Sequence, residues 1–284
     1  MLLILAKQII RKKIWPEHKL LEWLMNNKTE TDFNRNLVTI IIPTYNSEKF
    51  IEKTLSSIIQ QSYPNFEVCI VDDASTDSTV NKIKKIMQED SRINLTVNDK
   101  NSGAAITRNL ALKQAKGRYV AFLDADDIWK PKKLEKQLKF MEENNYYFSF
   151  TAYQLIDEDG KKLNKYVDVN SKREVGYHDM LAKKATIGCS TVIIDQTKIG
   201  KLQMPLIRTG QDYALWLKIL RNGNKAYRFP EVLTDYRIVP GSISRNKIKK
   251  AKRQWQIYRS LEKLGLIEAV WYFSNYAWRA VFRV

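Results

Sequence analysis

Residues 37–46 read Leu-Val-Thr-Ile-Ile-Ile-Pro-Thr-Tyr-Asn, and the expected fold class follows from this stretch. Its first six residues are apolar or β-branched without a break, a pattern typical of a strand buried on both faces. Pro43 ends the run because proline cannot donate a hydrogen bond to a neighbouring strand. Strands of this kind occur in parallel sheets with helices on both faces, so we expect an α/β fold.

From this strand to about residue 150, strand patterns alternate with helix patterns. Strands are predicted at 66–71, 93–97 and 119–123, and apolar residues spaced three and four apart predict helices between them. This alternation predicts a mostly parallel central sheet flanked by helices. Right-handed crossovers then bring the loops after the strands to one crevice. These loops are 44–46, 72–76 and 124–127.

Beyond residue 150 the alternation fails, and we expect this half to complete the sheet and shape a second pocket. Residues 157–160 are typical of a turn between two strands, and the apolar run 186–194 predicts another strand. Helical spacing at 211–220 is followed by Gly223, a residue type that often follows the last turn of a helix.

The predicted organisation has three parts. Polar residues with scattered leucines and tryptophans indicate a helical N-terminal extension at 1–36. The main α/β domain covers 37–244, divided into halves at 37–130 and 131–244. A basic tail occupies 245–284.

Composition limits the partners and the cofactors. The chain has 284 residues, with 48 Lys and Arg against 31 Asp and Glu, and a formal net charge of +17. This excess indicates an anionic partner such as nucleic acid, acidic lipid or sugar nucleotide. Cys69 and Cys189 lie in apolar runs and are expected to be reduced. Only His18 and His178 are present, so carboxylates would hold any metal, which favours Mg²⁺ or Mn²⁺.

The first six residues are apolar, but positive charges follow them instead of preceding them, the reverse of a signal peptide. No run approaches the ~20 apolar residues that span a bilayer. We therefore expect a cytoplasmic protein.

Three carboxylates directly follow the last predicted strand of the first half, in the run Asp124-Ala125-Asp126-Asp127. Like charges this close repel one another unless a cation lies among them. A divalent ion that bridges such carboxylates and a diphosphate offsets the charge on both. The alternative is a cluster that caps the N-terminus of a helix. Aspartate is favoured at N-cap positions, and Pro131 predicts that a helix begins nearby.

Single residues elsewhere give weaker signals. Asp72 and Asp73 end a strand, where a carboxylate can accept the N–H of a uracil or a ribose hydroxyl. Tyr45 offers an aromatic face for a base, or packs inside the fold. Arg108 suits a base carbonyl or a phosphate, or forms a surface salt bridge. Asp212 precedes an aromatic and aliphatic helix, and its position alone favours an N-cap.

In their order and combination, five segments resemble the inverting glycosyltransferases of family 2, which have the Rossmann-like GT-A fold. The segments are Ile-Ile-Pro-Thr-Tyr-Asn (41–46), Val-Asp-Asp-Ala-Ser-Thr-Asp (71–77), Arg108-Asn109, Phe-Leu-Asp-Ala-Asp-Asp (122–127) and Gln-Asp-Tyr-Ala-Leu-Trp-Leu (211–217). The resemblance covers residues 37 to 243. Residues 210–216, 236–237 and 242–244 narrow it to bacterial surface-polysaccharide transferases, including the teichuronic acid type.

The resemblance implies transfer from a nucleotide-diphosphate sugar, a UDP-sugar by default, to a glycan or polyprenyl-linked acceptor with inversion. It assigns donor binding to 37–130 and acceptor binding to 131–244. The donor-binding residues it implies are Pro43, Thr44, Tyr45, Asn46, Asp72, Asp73, Arg108, Asp124 and Ala125. Asp126 would hold the Mn²⁺ or Mg²⁺ on the diphosphate, and Asp212 would be the general base. Gln211 and Thr107 depart from the family pattern, where Glu and Ala are usual, and Gln211 removes a charge beside Asp212.

The tail at 245–284 has ten basic residues against two acidic ones. Helical spacing places a set of apolar residues on one face: Ile267, Val270, Trp271, Ala277, Trp278 and Val281. Tyr272, Tyr276, Arg279 and Arg283 share another face. Such a helix suits an anionic membrane interface, which would hold the protein at the inner face of the cell membrane. A helix packed on the domain with a solvated basic side fits the same pattern.

Three other functions are less consistent with the sequence than a family 2 glycosyltransferase. A nucleic-acid-binding protein is indicated only by charge, without a recognisable motif, so we expect no nucleic-acid partner. A catalytically inert family member acting as a binding subunit is the alternative, and Asp126 and Asp212 argue against it. A nucleotidyltransferase would carry a glycine-rich phosphate loop where this chain has Pro-Thr-Tyr-Asn.

Overall fold

The computed structural model describes residues 33–239 and 247–282. The first half contains β1 (Asn34–Thr44), α1 (Ile51–Ile59), β2 (Phe66–Asp72), α2 (Thr79–Glu89), β3 (Ile93–Val97), α3 (Ala104–Gln114), β4 (Gly117–Phe122) and β5 (Ile128–Trp129). The second half contains α4 (Lys133–Asn144), β6 (Phe148–Ile156), β7 (Lys162–Val167), β8 (Glu174–Val175), α5 (Tyr177–Leu181), β9 (Ile193–Asp195), α6 (Gln196–Ile199), α7 (Gln211–Arg221) and β10 (Ala226–Arg237). The C-terminal helices are α8 (Lys247–Gln256) and α9 (Leu266–Phe282), with a π-helical turn at Ile257–Leu261 between them.

Ten strands form one sheet within the described residues, in the order β3-β2-β1-β4-β9-β6-β10-β5. β7 pairs with β6, and β8 pairs with β10. β1 to β4 run parallel to one another, and β10 runs parallel to β6. β9 is antiparallel to both β4 and β6 and joins the two halves. The predicted α/β fold with a mostly parallel central sheet is confirmed.

The alternation of side chains along β1 explains why helices cover both faces of the sheet. Ile40 and Ile42 belong to one apolar cluster, whereas Ile41 belongs to the other. Neighbouring residues of a strand point to opposite faces, so a strand that is apolar throughout requires a core on each side. On one side α1 packs Ile51 and Leu55 into the cluster that contains Ile40.

The strand predicted at 186–194 is wrong for most of its length, because only Ile193–Asp195 is strand. Cys189–Thr191 forms a 3₁₀ turn, and Ile187 has a positive φ of 51°. The Asp168 carboxylate accepts hydrogen bonds from the N–H groups of Thr186 and Ile187, at 2.9 and 2.8 Å. A side chain thus replaces a neighbouring strand as the hydrogen-bond partner, which the apolar pattern of the run could not indicate.

The end of α7 agrees with the prediction, whereas the start of β1 does not. Gly223 follows α7 with a φ of 86°, and its N–H donates to the Leu220 carbonyl, as predicted for the residue after a helix. β1 begins at Asn34, three residues before the predicted start of the domain. Residues 1–32 of the predicted N-terminal extension lie outside the described part.

The C-terminal helices pack on the domain through one side only. Tyr258 and Tyr272 are buried in the same apolar cluster as Trp216 of α7. In contrast, Trp271 and Trp278 are 58% and 66% exposed. No helix in the described residues is long and apolar enough to cross a membrane.

Candidate active site

Asp72 joins the loops that follow β1 and β2. Its carboxylate accepts hydrogen bonds from the Thr44 hydroxyl at 2.7 Å and from the Ser75 N–H and hydroxyl at 2.8 and 2.6 Å. Asn46 crosses between the same loops, because its N–H donates to the Ser75 hydroxyl and its side-chain oxygen accepts from the Thr76 N–H. These mutual hydrogen bonds fix both loops before any ligand binds.

Asp73 fixes the start of α3. Its carboxylate accepts hydrogen bonds from the Asn98 side chain at 2.9 Å and from the N–H groups of Ser102 and Gly103 at 2.8 and 2.7 Å. Burial raises the pKa of Asp73, but these hydrogen bonds outweigh burial and the pKa lies below its usual value. Because Gly103 directly precedes α3, Asp73 also determines where Arg108 of that helix lies.

Arg108 forms an ion pair with Asp124, which follows β4. Burial lowers the pKa of the Arg108 guanidinium, but the negative charges of Asp124 and Asp212 contribute to an opposing effect that raises it. Asp212 therefore lies within electrostatic reach of this pair. The Arg108 Nε atom is buried and has no hydrogen-bond partner among the described residues.

Asp126 and Asp127 differ in what surrounds them. Burial and the charge of Asp124 raise the pKa of Asp126 to about 6. Burial and the neighbouring aspartates also raise the pKa of Asp127. Asp127, however, accepts hydrogen bonds from the Ser190 hydroxyl and from the Arg237 N–H at 2.9 Å. The protein thus uses Asp127 as an internal support, whereas at Asp126 the effect of burial and of Asp124 outweighs that of the nearby Arg237 and Arg108.

The carboxylates of Asp124 and Asp126 are the candidate ligands for a divalent ion. Among residues 33–239 and 247–282, no three Asp, Glu, His or Cys side chains are grouped so that they alone could hold a metal. Asp124 and Asp126 would therefore need further ligands from outside the described residues to hold such an ion. Carboxylate oxygens are ligands that suit Mg²⁺ and Mn²⁺.

α7 carries Asp212 in its first turn. Gly210 precedes the helix with a φ of 77°, a conformation that glycine adopts at little cost. The Trp216 ring packs edge-on against Phe122 of β4, with 5.7 Å between the ring centroids. Its Nε1–H donates to the Ile187 carbonyl at 3.1 Å. These contacts anchor α7 beside the end of β4 and bring Asp212 toward the ion pair described above.

Two residues that support the site, Ser190 and Arg237, were given no role in it at the sequence level, where Arg237 was noted only as part of the family pattern. The Ser190 hydroxyl accepts from the Asp124 N–H at 3.1 Å and donates to Asp127. The Arg237 Nε–H donates to the Asp126 carbonyl at 2.8 Å, and its Nη1 donates to the carbonyls of residues 157 and 158. The adjacent polar residues Ser190-Thr191 inside an apolar run were the available signal for the first of them.

The remaining predicted donor-binding residues lie at or beneath the same edge of the sheet. Pro43 is part of the end of β1, and Thr44 is buried. Tyr45 follows with its side chain 50% exposed. Ala125 is buried, and its carbonyl accepts a hydrogen bond from the Thr54 hydroxyl at 2.9 Å.

The profile of glycosyl transferase family 2 matches residues 39–195, more than half of the chain. The chain belongs to this family. Among curated family relatives, TuaG of Bacillus subtilis (strain 168) is 48% identical over 245 residues, which cover 86% of this chain and 96% of TuaG. The name of TuaG is that of a teichuronic acid biosynthesis glycosyltransferase.

A second family relative is WfgD of Escherichia coli, 39% identical over 241 residues that cover 84% of this chain and 92% of WfgD. WfgD is named a UDP-Glc:alpha-D-GlcNAc-diphosphoundecaprenol beta-1,3-glucosyltransferase. Among solved structures, S. aureus TarS 1–349 in complex with UDP-GlcNAc has a TM-score of 0.65 and 25% identity. That match covers 78% of this chain and 64% of the TarS chain, less than two thirds of its length. The predicted family and the predicted GT-A-type fold are confirmed.

Proposed function

We propose that this glycosyltransferase moves a sugar from a UDP-sugar to a hydroxyl of a lipid-linked glycan, with inversion, in bacterial surface-polysaccharide biosynthesis. The observation that carries the proposal is the packing of Trp216 of α7 against Phe122 of β4, with 5.7 Å between the ring centroids, which places the helix that carries Asp212 beside the end of β4. The charge of Asp212 also contributes to the raised pKa of Arg108. Asp212 thus comes from α7, a segment separate from the loops proposed to hold the nucleotide. Inversion by direct displacement needs this arrangement, because the base acts on the side of the reacting carbon opposite the leaving group.

The names of the relatives support the choice of substrates. WfgD is named for a UDP-glucose donor and a diphosphoundecaprenol-linked acceptor. The TarS structure contains UDP-GlcNAc. A UDP-sugar donor and a polyprenyl-linked acceptor are therefore the substrate classes that we assign to this chain.

In the proposed reaction, the acceptor oxygen forms a bond to the anomeric carbon while the bond from that carbon to the diphosphate oxygen breaks. Asp212 accepts the proton of the acceptor hydroxyl, and UDP departs. Asp126, with Asp124 beside it, would hold a Mn²⁺ or Mg²⁺ ion. Such an ion neutralises the negative charge that develops on the departing diphosphate.

The loops after β1 and β2 would receive the nucleotide. The half-exposed Tyr45 ring is available to stack on uracil, and Arg108 offers its unpaired Nε–H to a base carbonyl or a phosphate. Asp72 and Asp73 act mainly by holding these loops in place, since both are buried and hydrogen-bonded within the chain. Thr44 and Asn46 belong to the same hydrogen-bonded support.

We further propose that the exposed face of α9 rests on an anionic membrane surface, where a polyprenyl-linked acceptor is anchored. Ile267, Trp271 and Trp278 are 88%, 58% and 66% exposed, whereas Ala269 and Tyr272 on the other side are buried against the domain. Isolated apolar residues are common at protein surfaces, but an exposed row with two tryptophans is typical of an interfacial helix. The neighbouring α8 is basic and complements an anionic lipid surface.

Thermal unfolding with a panel of nucleotide sugars, with and without Mn²⁺, tests the donor assignment. A ligand at 100 times its Kd stabilises the folded protein by about 2.7 kcal/mol. We expect one UDP-sugar to raise the melting temperature and the increase to require the ion. Transfer to a polyprenyl-diphosphate glycan is then measured with that donor. Stabilisation without turnover would favour a binding subunit, and no response from folded protein to any UDP-sugar would contradict the proposal.

A further inference from the structure

The helix α8 lies against the loop that carries the proposed base. The Arg253 side chain approaches Gly210 so closely that its Cδ, Nε and Cζ atoms are 3.0, 3.1 and 3.4 Å from the position a Cβ would occupy there. Gly210 is two residues from Asp212 in the chain. A cation from the C-terminal region therefore lies beside the proposed acceptor side of the crevice.

Both α7 and the C-terminal region are hydrogen-bonded to α5. The Tyr213 hydroxyl donates to the Met180 carbonyl at 3.0 Å, and the Tyr258 hydroxyl donates to the Leu181 carbonyl at 2.5 Å. Two consecutive carbonyls of one helix thus bind the residue after Asp212 and a residue just beyond α8. Buried hydrogen bonds therefore hold α7 and the segment just after α8 to the same helix.

Lys250 and Arg253 form a cation pair without an acidic partner in the described residues. Burial and the charge of Arg253 lower the pKa of Lys250. The Arg253 Nε atom is buried, and within residues 33–239 and 247–282 it has no hydrogen-bond partner. Two partly buried like charges are unfavourable unless an anion compensates them. The exposed Lys252 on the same helix carries the same charge outside this pair.

We propose that Lys250 and Arg253 bind the diphosphate of a polyprenyl-linked acceptor and so hold its first sugar at Asp212. The inference rests on the proposed transferase function and assigns residues to its acceptor. In an inverting displacement the diphosphate of the donor leaves on the side away from the base. A cation pair on the side of the base therefore suits the acceptor, whose diphosphate is separated from the reacting hydroxyl by one sugar ring. From this site the lipid chain would pass toward the exposed face of α9.

Equilibrium binding of two soluble probes tests this assignment. One probe is decyl diphosphate linked to N-acetylglucosamine, and the other is decyl N-acetylglucosaminide, which lacks the diphosphate. We expect the wild type to bind the first probe at least about tenfold more tightly than the second, because charge-assisted hydrogen bonds to the diphosphate add affinity. Lys250→Gln and Arg253→Gln should each remove most of this preference. Lys252→Gln, the matched control, should retain it.

Vesicles containing phosphatidylglycerol distinguish an acceptor diphosphate from a lipid headgroup. We expect Arg253→Gln and Lys252→Gln to weaken vesicle binding to a similar extent, since each removes one charge from α8. A diphosphate preference that survives in Arg253→Gln and Lys250→Gln would overturn the proposal. A preference that falls equally in Lys252→Gln, or a specific effect of Arg253→Gln on vesicles alone, would also overturn it.

Two measurements on the same preparations separate this inference from the transferase proposal. Circular dichroism establishes that each variant is folded, and Arg253→Lys, which keeps the charge, should recover part of the preference. UDP-sugar binding by the wild type tests the donor site independently of α8. If the donor binds and the diphosphate preference is insensitive to Lys250 and Arg253, only the acceptor inference fails. If no UDP-sugar binds, the transferase proposal fails first.

Discussion

The loops after β1 and β2 differ from the C-terminal helices in whether their charged groups are paired within the chain. The carboxylates of Asp72 and Asp73 receive hydrogen bonds from neighbouring loops, so that side is fixed by the chain itself. In the C-terminal region, Lys250 and Arg253 lack an acidic partner in the described residues, and Trp271 is exposed. Under the proposed function, a nucleotide would meet a site that the chain already holds in place, whereas the C-terminal region would depend on charged and apolar partners from outside.

Replacing the proposed base should produce the largest effect. Asp212→Asn removes the proton acceptor, and we expect transfer to fall by about 10²–10⁴-fold. Donor affinity should be nearly unchanged, because Asp212 belongs to α7 and not to the loops proposed to hold the nucleotide. The transfer rate and the Kd for the UDP-sugar are measured together, with the exposed Asp159→Asn as the control. Undiminished transfer in Asp212→Asn would mean that another group is the base.

Asp126→Asn should separate ligand binding from stability. We expect the ion-dependent gain in donor affinity to fall by about 10–100-fold, since one charged ligand of the proposed ion is lost. In ion-free buffer the variant should be at least as stable as the wild type, because it loses a partly buried charge next to Asp124. Donor binding is titrated with and without Mn²⁺, and unfolding is measured in chelator. An unchanged Mn²⁺ response would place the ion elsewhere.

Binding to anionic vesicles tests the exposed tryptophan face of α9. Trp271→Ser combined with Trp278→Ser should lower partition onto anionic vesicles about tenfold or more, because two large apolar side chains leave the interface. Leu163→Ser, at an exposed apolar residue of β7, serves as the control. Deleting residues 245–284 would be a poor test, since it removes Tyr258 and Tyr272 from the core. Equal partition of both variants would show that α9 does not face lipid.

The smallest predicted effect concerns α5, which supports both α7 and the C-terminal region. Burial alone raises the pKa of Asp179, but hydrogen bonds from Lys172 and Lys184, each at 2.9 Å, outweigh it and lower the pKa to about 2. Because the folded-state pKa lies below the unfolded value, this stabilisation is present above about pH 4 and is lost as the pH falls toward 2. Asp179→Asn should therefore reduce the free energy of unfolding at pH 7 by about 1 kcal/mol.

Urea unfolding at pH 7 and pH 3 measures this dependence. The difference between Asp179→Asn and the wild type should be smaller at pH 3 than at pH 7. Asp159→Asn, at an exposed side chain, is measured alongside as the control. A difference that is constant across this range would mean that the lysines do not stabilise the ionised form of Asp179.

The sequence predicted the first half well because its signals are local. Strand patterns at 66–71 and 93–97 correspond to β2 and β3, and the loops that follow β1, β2 and β4 lie at one edge of the sheet. The second half was predicted less well, since 186–192 is held by Asp168 and not by a neighbouring strand. An apolar run predicts that a segment is buried, but it does not predict which group will accept the hydrogen bonds of its backbone N–H groups.

By itself, the sequence determined the alternating elements, the position of the carboxylates after β4 and the family, because periodicity and ordered motifs are properties of the chain alone. Only the tertiary structure decided that Asp127 supports the site through Ser190 and Arg237. It also decided that the tryptophan face of α9 points outward while Tyr272 is buried. Contacts between segments so far apart depend on how the whole sheet and its helices pack, and no local pattern encodes that packing.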